Sequence, residues 1–385
     1  MGPFKPTDRL DSWKAIATHL NRTVRTVQRW QREGLPVHRH QHTKLGSVFA
    51  LPEELDEWCR QRLAAGAVLN QRDHYYLLSR HHLAARTNDS LQKSAKYAQL
   101  SIERDQQFAP GHAALALAYA VLASYGACKP HTLMPQARTA ATRALQLDGN
   151  LAEANCALGL VALLYDRDWG MAERSFCRAM RVRPRYASIY QWLAIQRFVT
   201  MRYEDALQLL EEARARDPLS PMIGAQHGWF LTLLRRYEDA LAVIETTIEL
   251  DPLFFRAYAN LAWVYLELGR PQAALDAVRR ASTLNGLPLF GPTVAECEAS
   301  IGDRAAAISR MRELEARGEY VSPYWRARAW TRSGDADRAL TLLEESVEAR
   351  EWFVILLGHE PAFDPLRDDI RFTKLLARVG LPSCS

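Results

Sequence analysis

Apolar positions along this chain recur mainly at helical spacing. In the segment 21–36, "NRTVRTVQRWQREGLP", Val24, Val27 and Trp30 fall on one side of a helix. Arg22, Arg25, Arg29 and Arg32 fall on the other, at steps of three and four residues. Just before it, "WKAIATHL" places Trp13, Ile16, Ala17 and Leu20 on one face, with Ser12 able to cap the helix. Thr23 can cap the basic helix, Gly34 can stop it and Pro36 prevents its resumption. The pattern then changes period. Val37, Arg39 and Gln41 alternate with His38, His40 and His42, "TKLG" can turn the chain, and "SVFAL" is rich in strand formers, which predicts a hairpin. Pro52 opens a further helix, "PEELDEWCRQRL", with Leu55, Trp58, Cys59 and Leu63 inward and Glu53 and Glu54 at its electropositive start.

From residue 85 onward the pattern is amphipathic helix, and it repeats. "YEDALQLLEEARARDP" (203–218) and "YEDALAVIETTIELDP" (237–252) are 34 positions apart. "WGMAERSFCRAMRVRP" (169–184) and "PQAALDAVRRASTLNG" (271–286) keep the same step. Each copy has a small residue, a large apolar residue four later, a small one three later, then Pro or Gly. The sets are Ala172, Phe176, Ala179, Pro184; Ala206, Leu210, Ala213, Pro218; Ala240, Ile244, Thr247, Pro252; and Ala274, Val278, Ala281, Gly286. Small residues allow close helix approach, and one helix pair cannot bury its own apolar face, so such pairs must stack. Degenerate copies on both sides bring the expected number to about seven pairs. The tail 360–382 holds Phe363, Leu366, Phe372, Leu375, Leu376 and Val379 at helical spacing, which predicts a cap on the last pair.

Composition adds a charge asymmetry. The first 66 residues hold 11 Lys/Arg against 7 Asp/Glu, and the remaining 319 hold 38 against 37. A local positive patch on a near-neutral body points to a polyanionic partner at the N-terminal end. The six cysteines (Cys59, Cys128, Cys156, Cys177, Cys297, Cys384) are scattered singly, as expected of small buried residues in a reducing compartment. The start "MGPFKPTDRLDSW" carries no apolar signal region, and the Ala-rich stretch 113–128 is too short for a bilayer and reads as a buried helix. These features predict a cytoplasmic protein with no membrane partner.

The two halves resemble two known families. The order helix, turn, basic helix, wing, helix over residues 10–62, carried by "SWKAIATHLNRTVRTVQRWQREGLPVHRH" and "GSVFALPEELDEW", resembles the winged helix-turn-helix of the MerR/excisionase type. That resemblance implies Thr23, Arg25, Thr26, Gln28 and Arg29 facing duplex DNA, with Arg22 and Arg32 completing the basic stripe. Arg39 and Lys44 would reach phosphates from the wing. Arg and Gln can read base edges while phosphate contacts position the domain. The alternative is a solvated basic helix on a protein-binding adaptor. Residues from about 85 to 350 resemble the tetratricopeptide repeat family, with first-helix signatures at Leu158–Gly159 and at Tyr258, Leu261, Ala262 and Tyr265. That resemblance implies a right-handed superhelix with a peptide groove on the first helices, including Gln191, Ile195, Met222, Trp229, Arg256 and Trp263. Trp229 and Trp263 either face a ligand or pack between helices.

The expected fold is therefore mostly α, a small winged helix-turn-helix domain followed by an α-solenoid of helix pairs. The expected boundaries are 1–66 for the DNA-binding domain, 67–84 for a connecting helix or linker, 85–350 for the solenoid and 351–385 for a C-terminal cap. The histidines of "HRHQH" share a strand face but lack a fourth ligand, so no metal site is expected. No nucleotide-binding, hydrolase or zinc-protease spacing occurs, so neither a cofactor nor an enzyme is expected. The expected function is a sequence-specific transcriptional regulator of bacterial type, with a protein or peptide ligand on the repeats. The alternative is a non-catalytic scaffold whose N-terminal domain is an adaptor or a non-specific DNA anchor. A single such domain reads a short site, so a homodimer is possible.

Overall fold

The structure is a computed structural model. It describes residues 9–20, 23–32, 34–39, 48–58, 70–125, 129–285, 290–318 and 320–381. It divides into two compact units, one up to His74 and one from Tyr75 onward.

In the first unit, α1 (Trp13–His19) is capped by Ser12, whose Oγ accepts from the Ala15 N–H at 3.1 Å. Thr23 does the same for α2 (Val24–Arg32), accepting from the Thr26 N–H at 3.3 Å. Gly34 follows with φ 98°, a left-handed conformation that costs other residues strain, and the Leu35 N–H closes the turn on the Trp30 carbonyl at 2.9 Å. Strands β1 (His38–Arg39) and β2 (Val48–Phe49) pair antiparallel with His38 opposite Phe49. Helix α3 covers residues 52–58. Ile16, Ala17, Val27, Leu35, Val48, Ala50 and Leu55 form one small core, with Trp13, Leu20, Trp30 and Trp58 packed around it. Val24 departs from expectation. It lies at the start of α2 and is 36% exposed, so Val27 and Trp30 alone anchor the helix. Cys59, Leu63 and the hairpin turn lie outside the described residues.

The second unit is almost entirely helical. Helices α4 (Gln71–Ala85), which begins four residues before the division, and α5 (Asn88–Arg104) are followed by α6 (Ala109–Ser124) with α7 (Pro130–Leu147), and α8 (Ala152–Val161) with α9 (Trp169–Val182). Next come α10 (Ala187–Val199) with α11 (Tyr203–Arg216), α12 (Pro221–Leu233) with α13 (Tyr237–Leu250), and α14 (Phe255–Glu267) with α15 (Pro271–Asn285). The last two pairs are α16 (Gly291–Ile301) with α17 (Arg304–Ala316), and α18 (Pro323–Arg332) with α19 (Ala336–Glu348). The stretch read as a linker thus holds most of α4, whose Ser79 carbonyl accepts from Ser94 Oγ of α5 at 2.9 Å.

The 34-residue pattern is visible in the packing. Ala172, Phe176, Ala179, Ala206, Leu210, Ala213, Ala240, Ile244, Ala274, Val278 and Ala281 are all fully buried. They receive the first helix of their pair closely, and a methyl group at Gly228 would overlap the Ile244 side chain. The backbone repeats as well. Arg167, Met201, Arg235 and Gly269, at the turn inside four successive pairs, have φ of 61°, 61°, 61° and 68°.

The tail behaves differently from the expected cap. After α19 the chain enters a 3₁₀ stretch, Trp352–His359, then a second, Pro361–Leu366, and only then α20 (Ile370–Val379). Helix α20 packs on α19 as a cap would. The first 3₁₀ stretch instead lies along earlier pairs, with every side chain from Trp352 to Leu357 buried. Arg167 donates to the Val347 carbonyl, Arg350 to the Tyr165 carbonyl, and Arg235 to both oxygens of Asp364 at 2.8 and 2.7 Å. Among the described residues no helix is long and apolar enough to cross a membrane.

Candidate functional site

The first helices of five consecutive pairs line one cavity in the second unit. Ser124 and Val121 come from α6, Leu160 from α8, Gln191, Trp192 and Ile195 from α10, Met222, Gln226 and Trp229 from α12, and Arg256 and Asn260 from α14. Arg86, just after α4, and Trp352 of the 3₁₀ stretch complete it. The cavity contains about 640 Å³ of unfilled space, part of it open to solvent. A second cavity of about 370 Å³ adjoins it through Tyr125 and Arg256, walled by Phe255, Trp263, Phe290, Trp325 and Phe353.

The polar groups are held in place. Gln191 Nε2 donates to Gln226 Oε1 at 2.8 Å, and Asn260 Nδ2 donates to the Ala225 carbonyl at 2.6 Å. All three amides are buried. They sit at nearly one-repeat spacing, so each first helix contributes one to the same face. The Arg256 guanidinium lies 4.5 Å from the centre of the Tyr125 ring. Arg256 Nε, the Tyr125 hydroxyl and Trp263 Nε1 are shut from water with no hydrogen-bond partner among the described residues. Buried polar groups are nearly always paired, so three orphans around two joined cavities require an explanation.

The expected groove residues are thus brought together, with one correction. Gln191, Ile195, Met222, Trp229 and Arg256 line the larger cavity, and Trp263 lines the smaller. The two tryptophans are not an exposed ladder. They are 7% and 6% exposed. Trp229 packs edge-on against Trp352 at 5.5 Å, and Trp263 stacks on Trp325 at 4.7 Å. The apolar 3₁₀ stretch covers the face on which a peptide was expected. Sequence reading missed Arg86, Tyr125, Gln226, Asn260 and Trp352. The repeat register was a usable signal for Gln226, which follows Gln191 by 35 positions, and for Asn260, which follows Gln226 by 34.

On the first unit, burial of Val27 fixes the rotation of α2 about its axis. Thr23, Arg25, Gln28, Arg29 and Arg32 are exposed, and Thr26 is half-buried with its hydroxyl 2.9 Å from that of Thr23. Arg22, Lys44 and the Arg39 side chain lie outside the described residues, as do His40 and His42. His38 Nε2 is 2.6 Å from Glu54 of α3, and His19 Nε2 is 2.8 Å from Asp56.

A family profile described as tetratricopeptide repeat matches residues 243–276, spanning most of α13, the α14 helix and the start of α15. Residues 243–276 thus match one tetratricopeptide repeat. Repeats of this kind are helix pairs that stack, and the pairs from α6 to α19 are built in that way. Solved structures with some likeness include Pseudomonas aeruginosa pilF, 19% identical, covering 56% of this chain and 94% of that one at a TM-score of 0.42. Yeast Tom70 is 16% identical, covering 80% and 68% at a TM-score of 0.47. YrrB, described as a TPR protein with an unusual peptide-binding site, is 21% identical, covering 50% and 94% at a TM-score of 0.31. A search of curated proteins gave no match.

Proposed function

We propose that this chain is a non-catalytic tetratricopeptide interaction scaffold whose N-terminal unit docks on duplex DNA, as in a transcriptional regulator. The observation that carries the DNA part is the outward face of α2, where Arg25, Gln28, Arg29 and Arg32 are exposed opposite the buried Val27. Arg pairs with guanine and Gln with adenine through two hydrogen bonds each, and a major groove admits one helix. The short ladder β1–β2 follows α2 as a wing follows a recognition helix. In this reading residues 1–66 bind DNA, with Arg22, Arg39 and Lys44 on phosphates and Thr23 and Thr26 near the bases. The repeats of 85–350 hold a protein partner in the cytoplasm.

The partner surface narrows to what the 3₁₀ stretch leaves open. Gln191, Met222, Trp229 and Arg256 border open space, while Trp263 is reached only through the smaller cavity. A second reading makes the N-terminal unit a protein adaptor. It is favoured by the carboxylates of α3, since Glu54 and Asp56 lie against His38 and His19 and dilute the positive field.

The test is selection of duplex DNA from a random pool by the full-length chain at near-physiological salt, beside Arg25→Ala/Arg29→Ala. An enriched motif that the double variant loses supports the regulator, and affinity should then fall steeply with added salt. Binding without a motif supports a non-specific anchor. No enrichment, with partner capture unchanged in the variant, favours the adaptor.

A further inference from the structure

The joined cavities have a positive charge that no described residue pairs. Their walls contain two guanidinium groups, Arg86 and Arg256, and no Asp or Glu among the described residues. Neither arginine forms an ion pair with any described residue, whereas Arg183, Arg197, Arg235, Arg310 and Arg328 of the repeats do. Arg256 lies over the face of Tyr125, and its Nε and the Tyr125 hydroxyl are buried donors with no acceptor among the described residues.

We propose that this cavity binds a small organic anion, with its acid group on Arg256 and the Tyr125 hydroxyl, and Arg86 supplying the second positive charge. The apolar or aromatic body lies against Trp192, Trp229 and Trp352. A guanidinium offers paired donors to a carboxylate or a phosphate oxygen pair, and burial strengthens that attraction. The amides of Gln191, Gln226 and Asn260 are already fixed by hydrogen bonds, so the wall need not reorganise on binding. The size limit comes from the tail. An extended peptide along this face would have to displace the buried run from Trp352 to Leu357. A small molecule fits beside it. Because Trp352 lies just beyond the last pair and Arg86 precedes the second, an occupant touches both ends of the repeat array. The proposal stands apart from the DNA-binding reading and survives its failure.

The experiment is a titration of the full-length chain followed by tryptophan fluorescence and by thermal unfolding. Indole-3-acetate and benzoate carry a carboxylate on a planar body, and phenyl phosphate carries a phosphate. Indole and benzyl alcohol are neutral controls, and acetate and inorganic phosphate lack the body. Saturable binding of an aryl acid at about 1 mM or below is expected, with its neutral analogue at least about tenfold weaker. Arg256→Gln should weaken the acid by about tenfold or more, and Arg256→Lys should restore part of that loss. Arg86→Gln, on a residue outside the helices, should also weaken it and serves if Arg256→Gln does not fold. Preference between the carboxylate and the phosphate probes names the acid group. Equal binding of acids and neutral analogues, equal binding of inorganic phosphate, wild-type affinity in both variants, or no saturation by any aryl acid overturns the proposal.

Discussion

Trp352 donates its indole N–H to the Ser124 carbonyl at 2.6 Å, joining positions 228 residues apart. Ser124 ends α6, and Trp352 opens the 3₁₀ stretch, so this bond ties the tail to the first part of the repeat array. The indole also contacts Trp229 at 5.5 Å and Phe353 at 4.3 Å. The contact explains why the Ser124 carbonyl, at a helix end, needs no other partner.

Replacing Trp352 separates its two contributions. Trp352→Phe keeps most of the packing and leaves the Ser124 carbonyl unpaired, at a cost of about 1–2 kcal/mol. Trp352→Ala removes a buried aromatic and should cost about 3–5 kcal/mol. Urea unfolding of the full chain checks both. Equal stability of the two variants would show that the hydrogen bond dominates and the packing argument fails.

Much of the repeat unit could be read from residue spacing, and the reason is geometrical. A 34-residue step fixes which side chain of each second helix meets its first helix, so the spacing alone points to Phe176, Leu210, Ile244 and Val278, all fully buried. The same register collected Gln191, Met222, Trp229 and Arg256 onto one face. What it could not contain was the occupant of that face. The run Trp352–Leu357 has no repeat partner, and "WFVILLGH" has no periodicity that distinguishes a buried 3₁₀ stretch from a helix. Exposure of Trp229 and Trp263 depends on that run, so the repeat register alone leaves open whether they face a ligand or pack between helices. In the first unit, burial of Ile16, Val27 and Leu55 followed from helix spacing, whereas Val24 sits in the first turn of α2, where the core has ended.

The buried ion cluster makes a separate prediction. Arg328 is 1% exposed, with Glu296 at 3.1 Å and Glu360 at 3.0 Å, and Glu296 is also reached by Arg332. Burial alone would lower the Arg328 guanidinium, but Glu296 and Glu360 hold it above its ordinary value. The cluster links α16, α18 and the residue that joins the two 3₁₀ stretches. Arg328→Met strands two buried carboxylates and should cost about 3–5 kcal/mol. Adding Glu296→Gln and Glu360→Gln removes both stranded charges and should recover much of the loss. Chemical denaturation of the single and triple variants decides it. A triple variant less stable than the single one would contradict the desolvation argument.

The recurring left-handed turn predicts opposite effects for two substitutions. Met201 holds φ 61° with a side chain 51% exposed, while Gly269 holds φ 68° one step of two repeats later with nothing nearby. A side chain pays steric energy there, and glycine pays only chain entropy. Gly269→Ala should therefore destabilise by about 1 kcal/mol, and Met201→Gly should be neutral or stabilising by up to about 1 kcal/mol. Thermal unfolding reads both changes. Destabilisation by Met201→Gly beyond about 1 kcal/mol would mean that Met201 contributes packing and that strain does not govern the position.

His359 gives the protein a pH dependence. Its Nε2 is hydrogen-bonded to the Tyr203 hydroxyl at 2.7 Å, and its ring packs on Phe198 at 5.1 Å. Burial, with Arg367 nearby, lowers it to about 4 from an ordinary 6.5. The unfolded chain therefore takes up this proton first. Stability from the neutral ring is complete above about pH 6.5 and is lost as pH falls towards about 4. Glu267 and Glu351, raised by burial, slope in the opposite direction and are common to any pair of proteins compared. His359→Gln keeps an acceptor for Tyr203 without the titration. Between about pH 7 and pH 4.5 the wild type should lose on the order of 2–3 kcal/mol more than the variant. Urea midpoints measured across that range test the difference. Parallel pH profiles would show that His359 titrates normally in the folded chain and that the 3₁₀ stretch lies open to water at that point.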